Sequence, residues 1–125
     1  MTKLQRICLA LAALAGFASV LAGAHAQHGI ADPQARDWMR TGASYGLLHA
    51  LAVFAAVFVA SRGSRVAQAA AILFLAGILL FSGSLWTYVL GGPNAVIMAT
   101  PVGGLAFMAG WLALAWACLT LRKPA

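Results

Sequence analysis

The sequence predicts an all-α fold: a bundle of four transmembrane helices with both termini in the cytoplasm. Four apolar runs, residues 7 to 24, 41 to 60, 67 to 91 and 102 to 121, carry that expectation. Each approaches the roughly 20 residues needed to cross the hydrocarbon of a bilayer. Composition agrees, since 63% hydrophobic against 8% charged residues leaves too little charge to solvate a water-facing domain of 125 residues. The runs show no alternation, which excludes strands, and in lipid a helix satisfies its own backbone. Residues 1 to 125 therefore read as one integral membrane domain.

The first run follows Lys3 and Arg6 and ends at Ala24-His25-Ala26, an A-x-A pattern that also fits a cleaved signal peptide. Its length favours retention, because residues 7 to 24 exceed the apolar core of 7 to 15 residues usual in signals. Residues 25 to 40 read as an interfacial loop holding the only two acids, Asp32 and Asp37, as partners for Arg36 and Arg40. The second helix is expected to begin ahead of the membrane, with Asp32 as cap, Pro33 in the first turn and Trp38 at the interface. The third run, the longest, tilts or extends past the hydrocarbon and stops at Gly91-Gly92-Pro93. Pro101 suits the start of the fourth helix.

The formal charge of +6 does not indicate a nucleic-acid partner, because the cations form no stripe. Lys3, Arg6, Arg62, Arg65, Arg122 and Lys123 share one side in a four-pass topology, which the positive-inside bias makes the cytoplasmic side. Cys8 and Cys118 lie within apolar runs and read as packing thiols. His25, His28 and Asp32 have metal-like spacings, but sit where Gly29 and Pro33 should end a helix. No metal or cofactor is expected.

Lipid tails are as apolar as leucine, so small residues must bring the helices together. They recur in rows: Ala12, Gly16, Ser19, Gly23 and Ala26; Gly42, Gly46 and Ala50; Ala70, Gly77, Ser84 and Gly91; Gly103, Ala106, Gly110, Ala113 and Ala117. Gly83, between two serines, offers a further close approach. Tyr45 and His49 share one stripe of the second helix, His49 about 12 Å along the axis from Thr41. Ser82, Ser84 and Thr100 are expected at similar outer depths. Together with Tyr45 and His49 they define a candidate polar cluster beneath the outer loops. The inner halves, residues 9 to 15, 51 to 60, 69 to 80 and 112 to 119, hold nothing more polar than glycine, cysteine or tryptophan. A polar pocket would open outward and end blind, which weighs against a continuous ion path through one copy. His49 has two readings, interhelical glue bonded to Ser82, Ser84 or Tyr88, and a ligand or proton site.

Five segments resemble one family: His28-Gly29-Ile30 after Gly23-Ala24; Tyr45 with His49-Ala50-Leu51-Ala52; Phe81-Ser82-Gly83-Ser84-Leu85-Trp86; Thr100-Pro101-Val102-Gly103-Gly104; and Gly110-Trp111. They are similar to the YgdD and YwdK family of small four-helix membrane proteins of unknown function, which has a related eukaryotic branch. The match touches all four helices in order from Gly23 to Trp111. It departs from the family's Gly-Ala-Phe-Gly-Ala-His-Gly at His25, Ala26 and Gln27. The resemblance implies a multi-pass protein of the bacterial inner (plasma) membrane whose first run belongs to the fold, and it implies no reaction.

The expected function is a structural or accessory membrane component, alone in the lipid bilayer, as a homo-oligomer or within a larger membrane complex. The alternative is binding or transport of a small molecule or ion through an outward-facing polar pocket around His49. No nucleophile with a base, carboxylate pair or phosphate-binding loop points to an enzyme.

Overall fold

The computed structural model describes residues 1 to 123. Four helices form an up-down bundle: α1 (Lys3–Gly29), α2 (Pro33–Ala60), α3 (Arg65–Val89) and α4 (Asn94–Thr120), all long and apolar enough to cross a membrane. No strand occurs among the described residues. Each helix packs on its chain neighbour, so α2 and α3 are central while α1 and α4 expose broad apolar faces. Phe17 and Leu112 are 69% and 75% exposed, as expected of side chains that face lipid tails.

The helices outrun the apolar runs because polar residues cap them. Thr2 Oγ1 accepts the Gln5 backbone N–H at 3.1 Å and Gln5 Oε1 accepts the Thr2 N–H at 3.0 Å, a reciprocal box that starts α1 four residues before the run. Asp32 Oδ2 accepts from the Ala35 N–H at 2.9 Å with Pro33 in the first turn, so α2 begins as expected. The anticipated interfacial loop over residues 25 to 40 is not a loop. Helix continues through Gly29 and resumes at Pro33, leaving three residues between. The arginines there also have different partners from those anticipated. Arg36 donates through Nε and Nη2 to the Ile30 carbonyl at 3.0 and 2.8 Å, and Arg40 donates to Gln27 Oε1. The tight turn sets both cations over the end of α1, where carbonyls lack intrahelical donors.

At the other end, Ser64 Oγ accepts from the Ala67 N–H at 3.1 Å to start α3, after a turn through Gly63 at φ 102°. α3 ends at Val89, two residues inside its run. Gly91, at φ 98°, supplies the left-handed turn, and the Gly92 N–H reaches back to the Thr87 carbonyl at 2.8 Å. α4 opens with a 3₁₀ segment, Asn94–Met98, which places Pro101 in the first turn of the α-helical part.

α3 is not regular. Ile78–Ser82 form a π-helical turn in which the Gly83 N–H bonds to the Ile78 carbonyl. The bulge sits where α4 comes closest: a Cβ on Gly103 would strike the Phe81 backbone nitrogen and lie 2.8 Å from its Cα. Gly77 faces the Phe107 ring, and a Cβ on Gly110 would lie 2.6 Å from the Phe74 ring. Across α2, Gly42 would strike the Trp86 indole at 2.6 Å and Gly46 the Ser19 hydroxyl. Gly83, anticipated as a packing glycine, meets nothing nearer than 3.9 Å, because the bulge turns it off the seam. On α1, Ala12, Ser19 and Ala26 are buried along its row of small residues.

Candidate functional site

His49 is 2% exposed, one turn beyond Gly46 and level with the aromatic residues of α3 and α4. Both ring nitrogens have partners: Nδ1 lies 2.7 Å from the Tyr45 carbonyl, and Nε2 lies 3.0 Å from Trp111 Nε1. An indole nitrogen only donates, so Nε2 accepts and Nδ1 carries the proton donated to Tyr45. The imidazole is thereby a neutral bridge between α2 and α4.

Aromatic rings enclose it. Phe107 stacks on the imidazole at 3.6 Å between centroids and 10° between planes, Tyr45 stacks at 5.9 Å, and Phe74 and Trp111 approach at 5.7 and 5.8 Å. Phe81, carried on the π turn, closes the ring set against Tyr45 at 4.8 Å and Phe107 at 5.5 Å.

The five residues anticipated as one polar cluster fall into three sets. Tyr45 and His49 belong to the aromatic set, and the bonds proposed from His49 to Ser82, Ser84 or Tyr88 are not made. Ser82, fully buried, donates to the Gly42 carbonyl on α2 at 2.6 Å. Ser84 pairs with Thr100 of α4 at 2.5 Å and lies 2.9 Å from the Phe81 carbonyl. The separation follows from the glycines: Gly42 and Gly46 bring α1 and α3 so close that Ser19, Ser82 and Trp86 fill the space between His49 and the outer end. Trp86 donates to the Met39 carbonyl at 3.3 Å in that layer.

The cavity beside His49 takes none of its lining from the outer loops. It is a groove of about 350 Å³, lined by Tyr45, Leu48, His49, Phe107, Met108 and Trp111 among others, and opens sideways between α2 and α4. Leu48 and Met108, 54% and 59% exposed, form its lipid-facing lips. Below it the core is aliphatic and aromatic, with Val53, Ala56, Val57, Ala70, Ala71 and Phe74 buried. No group of three His, Cys, Asp or Glu side chains converges among the described residues. Cys8 is buried and accepts a long 3.5 Å contact from Gln68 Nε2, while Cys118 is exposed.

Sequence reasoning found His49 and missed its partners. Trp111 was legible as an anomaly: tryptophan favours the membrane interfaces, and one at mid-span needs a partner for its N–H. Phe81 and Phe107 gave no such signal, since aromatic residues in an apolar run look like any other core.

A packed four-helix bundle with capped ends, lipid-facing outer helices and paired polar groups at mid-bundle defines a small multi-pass membrane protein. It is a protein of the bacterial inner (plasma) membrane. The chain belongs to the family described as Protein of unknown function (DUF423), which matches residues 22–104. It is 40% identical over 111 residues to a UPF0382 membrane protein of Haemophilus influenzae, covering 86% of this chain and 90% of the relative. The UPF0382 inner membrane protein YgdD of Escherichia coli is 32% identical over 123 residues, 95% of this chain and 94% of its own length. The UPF0382 membrane protein YwdK of Bacillus subtilis is 35% identical over 116 residues, 86% and 92% of the two chains. None of these names carries an enzymatic activity. No solved structure matches.

Proposed function

We propose that this protein is a structural or accessory component of the membrane, working as a rigid helical body within a larger assembly or among its own copies. The supporting observation is how the mid-bundle polar groups are employed. His49 uses both ring nitrogens, Nδ1 on the Tyr45 carbonyl of its own helix and Nε2 on Trp111 of α4, while Ser82 is committed to the Gly42 carbonyl and Ser84 to Thr100, so three of these four bonds join different helices. Such groups act as glue and leave no relay from one side to the other. In this reading the protein is not an enzyme, since these hydroxyls and the imidazole are held by helix partners. Both termini face the cytoplasm, with Lys3, Arg6, Arg62, Arg65, Arg122 and Lys123 on that side.

Photo-crosslinkers placed singly at Phe17 and Leu112, on opposite outer helices, test it in native membranes. A discrete adduct, to a second copy or to one protein, is expected from one face and not the other. Lipid adducts alone from both faces would refute an assembly role.

A second reading, binding of a small molecule, rests on the groove beside His49. It requires a ligand-dependent rise in melting temperature that His49→Ala abolishes.

A further inference from the structure

The two ends of the bundle differ completely in charge. At the α1–α2 end, Arg36 and Arg40 are balanced by Asp32 and Asp37, so the other six cations, and the whole formal +6, lie at the end carrying the termini. A cavity lies at that end. It has a volume of about 640 Å³ and lies between the α2–α3 turn and the end of α4, lined by Arg62, Ser64, Thr120, Arg122 and Lys123 among others.

Both segments that wall it contribute charge. Thr120 donates its proton to the Trp116 carbonyl at 2.8 Å, whereas Ser64 Oγ accepts from the Ala67 N–H at 3.1 Å and keeps its own O–H to donate. The cavity thus offers three cations, Arg62, Arg122 and Lys123, beside one hydroxyl donor, a lining that selects for negative charge. The chain's carboxylate side chains are at the opposite end of the bundle. Apolar surface runs away from its mouth. Arg62 holds its guanidinium 5.0 Å above the Phe58 ring, and Phe58, Trp116 and Leu119 are 61%, 60% and 84% exposed. A free anion would use the cations and leave that surface bare, whereas a phospholipid would use both.

We propose that this cavity is a binding site for the phosphate of an anionic phospholipid, whose acyl chains lie along the exposed faces of α2 and α4. Basic pockets at helix ends suit anionic headgroups, each cation near the membrane surface adding attraction. Because cations dominate the lining, phosphatidylglycerol and cardiolipin should both bind, and zwitterionic phosphatidylcholine should not.

The test uses the full chain in neutral detergent, read by native mass spectrometry and thermal melting. Phosphatidylglycerol is expected to remain bound and raise the melting temperature, with phosphatidylcholine and inorganic phosphate giving no comparable rise. The variant Arg62→Gln/Arg122→Gln/Lys123→Gln should weaken apparent phosphatidylglycerol affinity by about tenfold or more, while Lys3→Gln/Arg6→Gln should keep it. Equal effects of the two lipids, or an equal rise with inorganic phosphate, would overturn the lipid site. Equal losses in both variants would replace it with diffuse charge attraction. If the triple variant fails to fold, photoactivatable phosphatidylglycerol on the wild-type chain decides: adducts must fall within residues 58 to 66 and 116 to 123, and adducts elsewhere refute the proposal.

Discussion

Adding one methyl group at Gly103 and one at Gly104 should give opposite results, although the two residues adjoin on α4. A Cβ on Gly103 would meet the Phe81 backbone, with Cα and Cβ both at 2.8 Å, where ordinary contact is about 3.5–4.0 Å. The obstacle is main chain inside a π turn, so no rotamer change relieves it. α3 and α4 must part by roughly 0.7–1 Å, enough to forfeit a quarter to a half of the dispersion at each facing atom pair. Overpacking of this kind costs about 1–3 kcal/mol. The better helix propensity of alanine returns up to about 1 kcal/mol, so the net destabilisation of Gly103→Ala should centre on about 1 kcal/mol, within about 0–2 kcal/mol. A Cβ on Gly104 meets only Phe81 Cδ2 at 3.9 Å, so Gly104→Ala keeps the propensity gain and should be neutral or slightly stabilised. Steric trapping or reversible detergent unfolding of both variants in parallel gives the comparison. Equal stabilities would refute the close crossing at the bulge.

Trp111→Phe leaves an aromatic ring beside Phe74 but removes the indole donor and strands His49 Nε2, for an expected loss of at least roughly 1 kcal/mol in the same assay. Ser84→Ala and Thr100→Val should couple by about 0.5–1 kcal/mol in a double-mutant cycle, because the pair shares one bond. His49→Ala and Ser84→Ala should instead add within about 0.5 kcal/mol, since they belong to separate sets; strong coupling would restore a single cluster. Loss of residues 1 to 26 would strip buried Ala12, Ser19 and Ala26 from α2, so intact mass of protein purified from membranes should include α1. A chain starting at Gln27 would contradict the packed bundle.

The spans were legible because the bilayer sets a length that apolar runs must meet. The cap at Asp32-Pro33 and the stop at Gly91-Gly92 were legible because a missing donor and a left-handed turn each restrict residue choice. Arg36 and Arg40 misled, since acids stood nearby in sequence while the true acceptors, the Ile30 carbonyl and Gln27, lay across a turn whose tightness is a tertiary fact. The polar cluster misled for a similar reason. Depth along a helix can be counted, but rotation about its axis cannot once a π turn intervenes. Ile78–Ser82 contain no proline or glycine to announce that turn, which shifts the register of every residue after it.

The locked, neutral bridge at His49 is the point on which a structural role stands or falls. Nitrogen-15 solid-state NMR of the imidazole in lipid bilayers reads it directly. The expected spectrum has a protonated Nδ1 and an unprotonated, hydrogen-bonded Nε2 that loses its bond in Trp111→Phe. An imidazolium, a proton on Nε2, or an Nε2 indifferent to Trp111 would contradict it and return His49 to the groove as a group free to bind.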